Sequence, residues 1–238
     1  MLDNIPLDVE GFIEIKDKTT GEILVQKKNA VHYGNISTSI AKALTGDNTS
    51  FINYMVFGNA GVIVNSSGKI VYRQPNVSLS KNPNAQLYNT TFIKELTNNS
   101  YNDTEKDEFN YADSPDNAEH TSNFSDIIIE VELTEQEPPI ALNMDNSDGS
   151  AGVDESNVAV ADDTTFVFNE LALYTSPRAV GDEFTNFENE ASANQSIANL
   201  LFNQESRLIT HVIFHPIQKS QNRVLQITYT LRIQMGCN

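Results

Sequence analysis

The chain has a single cysteine, Cys237, and no tryptophan. One thiol makes neither an internal disulfide nor a thiolate metal cage, and the missing indole removes a stacking side chain on which a sugar-binding cleft would draw. Positive charge is scarce as well: 15 Lys and Arg stand against 32 Asp and Glu, a formal charge of -17. Nucleic-acid binding needs a basic face to neutralise phosphates, and an anionic bilayer repels so acidic a chain, so neither is expected as a partner. No apolar run approaches the ~20 residues of a membrane span. Met1 to Glu10 carries three acidic residues, no basic one and no stretch of signal-peptide length, which leads us to expect synthesis and initial residence in the cytoplasm.

What is present is a β pattern. Phe12, Ile13 and Ile15, then Ile23, Leu24 and Val25, flank Asp17-Lys18-Thr19-Thr20-Gly21, a hairpin signature in which Gly21 supplies positive φ. The period then changes: Ile36, Ile40, Ala43 and Leu44 recur at three and four after a Ser37 cap and stop at Gly46-Asp47, the one substantial helix expected. Strands follow at Phe51 to Phe57, ending in Gly58-Asn59-Ala60-Gly61, and at Lys69 to Arg73. Between residues 98 and 163 fall 18 acidic residues and one basic residue, Lys106. Within that span only Ile127 to Leu133 alternates as a half-buried strand does.

The C-terminal part is patterned most strongly, with strands at Phe166 to Tyr174, Leu208 to Phe214 and Arg223 to Met235, the last two expected to pair with each other. Together these give a mainly β fold of seven or eight strands: a β-sandwich or jelly-roll-like body with one short helix and long acidic loop insertions. We expect one domain over residues 1–238, with acidic loops at 98–126 and 134–165 and a polar loop at 175–205.

Catalytic and metal patterns fail one by one. His211 and His215 have the spacing of a helical metal pair but sit in a strand, about 13 Å apart at roughly 3.3 Å per residue. Aligning Gly149 with the turn glycine of a calcium loop puts Met144 where the first carboxylate belongs, which excludes a standard EF-hand; Asp145, Asp148, Asp154 and Asp162 remain as a looser acidic group. Carboxylate pairs such as Asp107 with Glu108 arise from composition alone. There is no nucleophile elbow, and Gly58-Asn59-Ala60-Gly61 fits neither a dinucleotide nor a P-loop motif. No enzyme, cofactor or metal is expected. The sequons at Asn35, Asn89 and Asn194 read as loop polarity in a chain rich in Asn, Ser and Thr.

Lys28-Asn29-Ala30-Val31-His32-Tyr33-Gly34-Asn35-Ile36 before a short helix, and Ile52 to Gly61 ending in an aromatic-Gly-Asn turn, resemble a motif of tailed-bacteriophage virion structural proteins. Phe168-Asn169-Glu170-Leu171-Ala172-Leu173-Tyr174 and the two final strands are similar to those of tail-collar and fibre-attachment proteins, departing from them at Ala60 and Ala172, where glycine is frequent. The resemblance covers residues 28–61 and 166–235. It implies a non-enzymatic subunit of a neck, tail, baseplate or fibre attachment, a symmetric homo-oligomer touching other virion proteins, with a capsid decoration protein as the alternative place.

In the motif, Gly58 and Gly61 are expected to allow backbone angles a side chain would forbid, with Asn59 tolerating the same region. Beside Asn169, Glu170 is expected to meet a nearby donor. From a different class stands a carbohydrate- or receptor-binding module, for which Tyr88, Tyr101 and Tyr111 are the candidate loop residues.

Overall fold

A computed structural model describes residues 7–47, 50–77, 83–96, 109–113, 124–135, 137–138, 165–175, 206–220 and 222–235. In chain order these form β1 (Leu7–Asp17), β2 (Ile23–Val31), α1 (Tyr33–Leu44), β3 (Ile52–Gly58), β4 (Val62–Val64), β5 (Ile70–Tyr72), β6 (Thr90–Glu95), β7 (Phe109–Asp113), β8 (Phe124–Leu133), β9 (Thr165–Thr175), β10 (Arg207–Ser220) and β11 (Leu225–Met235).

Nine strands pair, antiparallel throughout, in the order β6-β3-β9-β10-β2-β1-β11-β8-β7, while β4 and β5 pair only with each other. Side chains from the two halves of this order meet in one apolar cluster: Met55, Phe57, Phe168, Leu173 and Phe214 on one side, Ile15, Ile129, Leu133, Ile227 and Leu231 on the other. The single sheet therefore doubles over into a sandwich-like body. The fold line is β2, whose residues 23–29 pair with β1 and whose Ala30 and Val31 pair with β10, the corner role of a strand that serves both sheets.

Alternation explains the layer built from β1, β11 and β8. Val9, Ile13 and Ile15 point inward while Glu10, Phe12 and Glu14 do not, and Leu225, Ile227, Tyr229 and Leu231 do the same on β11. The hairpin joining β1 to β2 closes as its sequence requires, with Gly21 at φ +77° and the Asp17 carboxylate accepting from the N–H groups of Thr19 and Thr20. Asp17 also receives Arg223 Nε at 2.6 Å. The Thr20 N–H first and then Arg223 hold its carboxyl below the usual carboxylate range.

The other layer is buried on both faces. Phe166, Phe168, Leu171 and Leu173 of β9 enter the main core, whereas Ala172 and Tyr174 face a second cluster with Tyr54, Val56, Leu208, Leu87 and Val77. A strand covered on both sides reads as an apolar run rather than an alternation, which is why Phe166 to Tyr174 is apolar except at Asn169-Glu170 and Thr175 bounds it. Helix α1 closes one end by laying Ile36 and Ile40 on Val9, Val31 and Ile209.

Three expectations are corrected. The helix starts at Tyr33, its N-cap being His32, whose Nδ1 accepts the Asn35 N–H at 3.1 Å; Ser37 lies inside it. The last two strands do not pair: β10 lies between β9 and β2, β11 between β1 and β8, and they meet across the core through the Tyr229 hydroxyl, which donates to Thr210 Oγ1 at 2.6 Å. The acidic stretch 98–126 contains β7 and the start of β8, and β4 and β6 are further strands that the pattern did not announce. The rest of 98–126, and the expected loops between Gln136 and Thr164 apart from residues 137–138 and from Ser176 to Glu205, lie outside the described residues.

Tyr174 and Tyr229 are fully buried, and burial pushes both phenols well above their ordinary 10.0. The folded state thus keeps protons that the unfolded chain releases. Their contribution is complete below about pH 10 and is lost as pH rises beyond it, by about 1.4 kcal/mol per pH unit for each tyrosine. Urea unfolding across that range should show this decline, and Tyr229→Phe should remove about half of the part these two residues supply; an unchanged slope would refute the assignment.

Candidate functional site

The polar pair that interrupts β9 is the centre of a buried network. Glu170 sits opposite Gly58 at the end of β3 and opposite Ile213 of β10. Its carboxylate has no exposed surface and accepts four hydrogen bonds: Oε1 from the N–H groups of Ala60 (3.2 Å) and Asn89 (3.0 Å), Oε2 from the N–H of Tyr88 (3.1 Å) and from His211 Nε2 (3.1 Å).

The tautomer of His211 follows from its other nitrogen. Asn76 N–H points at Nδ1 from 2.9 Å, and an amide N–H only donates, so Nδ1 carries the lone pair and Nε2 carries the hydrogen given to Glu170. The contact is a charge-assisted hydrogen bond between an uncharged ring and a carboxylate.

Asn169 works beside it. Its Oδ1 accepts the Gly61 N–H at 2.7 Å and its Nδ2 donates to the Asn59 carbonyl at 2.6 Å, while Asn89 Nδ2 donates to Asn59 Oδ1 at 2.7 Å. The turn after β3, Asn76 and Tyr88-Asn89 are thereby fastened to the outer face of β9 and β10.

The two motif glycines are required for a reason other than the one their sequence suggests. Neither Gly58 nor Gly61 has positive φ, and among the described residues none other than glycine does, Asn59 included. Space is what they provide. A Cβ on Gly58 would lie 2.3 Å from the Asn89 carbonyl oxygen and 2.6 Å from Glu170 Oε1; one on Gly61 would lie 3.0 Å from both Asn169 Oδ1 and Ile213 Cγ2.

The structure thus brings together Gly58, Asn59, Gly61, Asn169, Glu170 and Tyr88. Tyr88 packs on the body: its hydroxyl donates to the Gln74 carbonyl at 2.7 Å, and its ring lies 4.7 Å from the Arg73 guanidinium and 5.9 Å from the His211 ring. Tyr111 belongs to β7, its side chain outside the described residues, as is the whole of Tyr101. His215 is exposed and meets the Tyr72 hydroxyl at 3.3 Å, apart from the buried His211.

Among the described residues no three His, Cys, Asp or Glu side chains gather as a metal site, and no helix is long and apolar enough to cross a membrane. The looser acidic group Asp145, Asp148, Asp154 and Asp162 and the thiol of Cys237 lie outside the described residues.

Sequence reasoning missed His211, Asn76 and Asn89 as partners of Glu170. A histidine and a glutamate in two neighbouring apolar strands were the available signal for the first; the asparagines fall where no periodicity marks them.

Chemically, this arrangement holds chain segments in place. Both oxygens of Glu170 have two donors, both nitrogens of His211 are engaged, and neither side chain reaches solvent, so the pair offers no acceptor or proton to a substrate. Comparison with protein-family models, with curated proteins and with solved structures finds no match.

Glu170→Gln replaces one acceptor oxygen by a donor, leaving two buried N–H groups facing an NH₂. Turning the His211 ring tautomer to accept from it would oppose the Asn76 N–H instead. At about 1–3 kcal/mol per unsatisfied buried group, chemical denaturation should show a loss of about 2–5 kcal/mol. Gly58→Ala should cost about 3 kcal/mol and clearly more than Gly61→Ala, whose Cβ needs only small displacements; equal costs would contradict the close-approach explanation.

Proposed function

We propose that this chain is a non-enzymatic structural subunit of a tailed-phage virion, of neck, tail, baseplate or fibre-attachment type, working through protein–protein contacts within a symmetric homo-oligomer. The observation that carries this reading is the internal use of the motif. The residues by which the chain resembles virion proteins, from Gly58 to Gly61 and Asn169 with Glu170, are fully engaged in fastening one part of the body to another. Recognition is then left to outer surfaces and to the acidic stretches.

Charge supports the same reading. A body at -17 resists contact with packaged nucleic acid and keeps free subunits apart until a specific surface brings them together. Segments rich in Asp, Glu, Asn and Ser that order on docking cover a large area at modest affinity, which suits subunits made in the host cytoplasm and assembled later.

The test is quantitative mass spectrometry of purified particles, reading the copy number of this chain against the major capsid protein. A small fraction is expected, as for a ring at the neck, tail or baseplate. A ratio near unity would move it to the capsid lattice as a decoration protein. Absence from particles would overturn the proposal, and saturable binding of host polysaccharide by the isolated chain would then favour a carbohydrate-binding module.

A further inference from the structure

The outer face of β1, β2 and β11 carries an open cup of about 430 Å³, apart from the Glu170 network. Strand register builds it. β1 runs between the other two strands, so Phe12 lies between Lys28 and Thr230, and Glu14 lies between Gln26 and Thr228. These six side chains form two rows of three on one face, because residues two apart on a strand point the same way. The row between them turns inward: Ile13 and Tyr229 enter the main core, and Lys27 Nζ donates to the Ile213 carbonyl at 2.9 Å. The floor of the cup is therefore backbone, and the two rows are its sides. At about 6.7 Å for two residues along a strand and about 4.8 Å between strands, the rows are roughly 7 Å apart and 10 Å long.

The chemistry of the cup is mixed and mostly unspent. Gln26 Nε2 donates to Glu14 Oε2 at 3.3 Å, and Lys28 Nζ lies 2.9 Å from Glu10 Oε1 and 5.1 Å from the centroid of the Phe12 ring. Among the described residues nothing else engages the polar side-chain atoms of Glu14, Gln26 or Lys28, and nothing engages the hydroxyls of Thr228 and Thr230. An aromatic wall is thus surrounded by a carboxylate that accepts, an ammonium that donates, and an amide and two hydroxyls that do both. Glu14 in one row and Lys28 in the other leave no field of one sign, so the cup selects neither an anion nor a cation. What matches all of these groups is a neutral molecule with hydroxyls around its edge and an apolar C–H face. The volume is in the range of small-molecule sites, and in a chain without tryptophan Phe12 supplies the ring against which such a face packs.

We infer that this cup binds a neutral saccharide, with Phe12 against the C–H face of one sugar ring, Glu14, Gln26, Thr228 and Thr230 taking its hydroxyls, and Lys28 donating from the rim. The inference goes beyond the virion reading and does not rest on it, since every lining residue comes from one copy of the chain.

Titration of the full ¹⁵N-labelled chain with maltose, cellobiose, lactose and chitobiose, followed by amide chemical shifts, tests this. At least one of the four should saturate with a dissociation constant of about 1 mM or tighter, its shifts centred on residues 12–14, 26–28 and 228–230 and its affinity indifferent to salt. Phe12→Ala should raise the dissociation constant about ten-fold or more, and Phe12→Leu and Thr228→Val, which keep apolar bulk but lose the flat ring or the hydroxyl, should each raise it several-fold. Circular dichroism should be unchanged in all three, because these side chains are on the outer face. Failure of all four sugars to saturate, shifts centred elsewhere on the chain, or wild-type affinity in Phe12→Ala would overturn the inference. Copy number in purified particles is independent of these results, so the virion reading and this one fail separately.

Discussion

A carboxylate with no exposure to water constrains this fold more than any other single group. Taking a carboxylate out of water costs several kcal/mol even after the surroundings relax, and only a full set of donors offsets it. Glu170 obtains that set from residues far apart in the chain: Ala60 after β3, Tyr88 and Asn89 ahead of β6, and His211 on β10. None of these donors is useful without the others, so the turn after β3, Tyr88-Asn89 and the β9–β10 pair must reach their places together. Cooperativity here comes from electrostatics, on one face of a layer whose other face is held by Phe57, Phe168 and Phe214.

The same pair of residues bends the layer. Phe168 and Leu171 both enter the main core although two residues separate them, so β9 changes parity across Asn169-Glu170. Opposite, β10 advances from Ile213 to Ile217 while β9 moves only from Glu170 to Phe168, a bulge that contains His215-Pro216. A bulge of this kind increases local twist and redirects side chains. Pro216, which has no N–H to give to a ladder, sits where the pairing is already interrupted.

How much of this could be read from residues depends on how local its cause is. The first hairpin, the alternation of β8 and β11, and the mainly β class rest on short-range patterns, and they are present in the structure. Pairing is not local. Ser220 and Leu225 are close enough in sequence for a hairpin, but β11 has both edges occupied, by β1 from Leu7 to Asp17 and by β8 from Phe124 to Leu133; alternation fixes which way a side chain points without saying which neighbour it meets. His32 as a helix cap was hidden because the periodic residues begin at Ile36, one turn late. The clamp was half legible: Gly58, Asn59, Gly61, Asn169 and Glu170 stood out, yet the glycines act through space at a close approach, which only the three-dimensional neighbours Asn89, Glu170 and Ile213 define.

Charge is spread unevenly along the chain, and that bears on the homo-oligomer proposed above. An isologous dimer places the same patch on both sides of a two-fold axis, and for a chain with 32 acidic residues most such patches would bring carboxylates together. The stretch from Asn48 to Lys94 has no acidic residue, whereas the one from 98 to 126 has eight, so unlike patches of opposite sign are within the sequence's means. Unlike surfaces join head to tail. Such contacts either close into a ring or continue as a filament, according to the rotation each step adds. In the homo-oligomer proposed above, unlike contacts that close into a ring avoid the juxtaposition of acidic patches that a two-fold axis would impose.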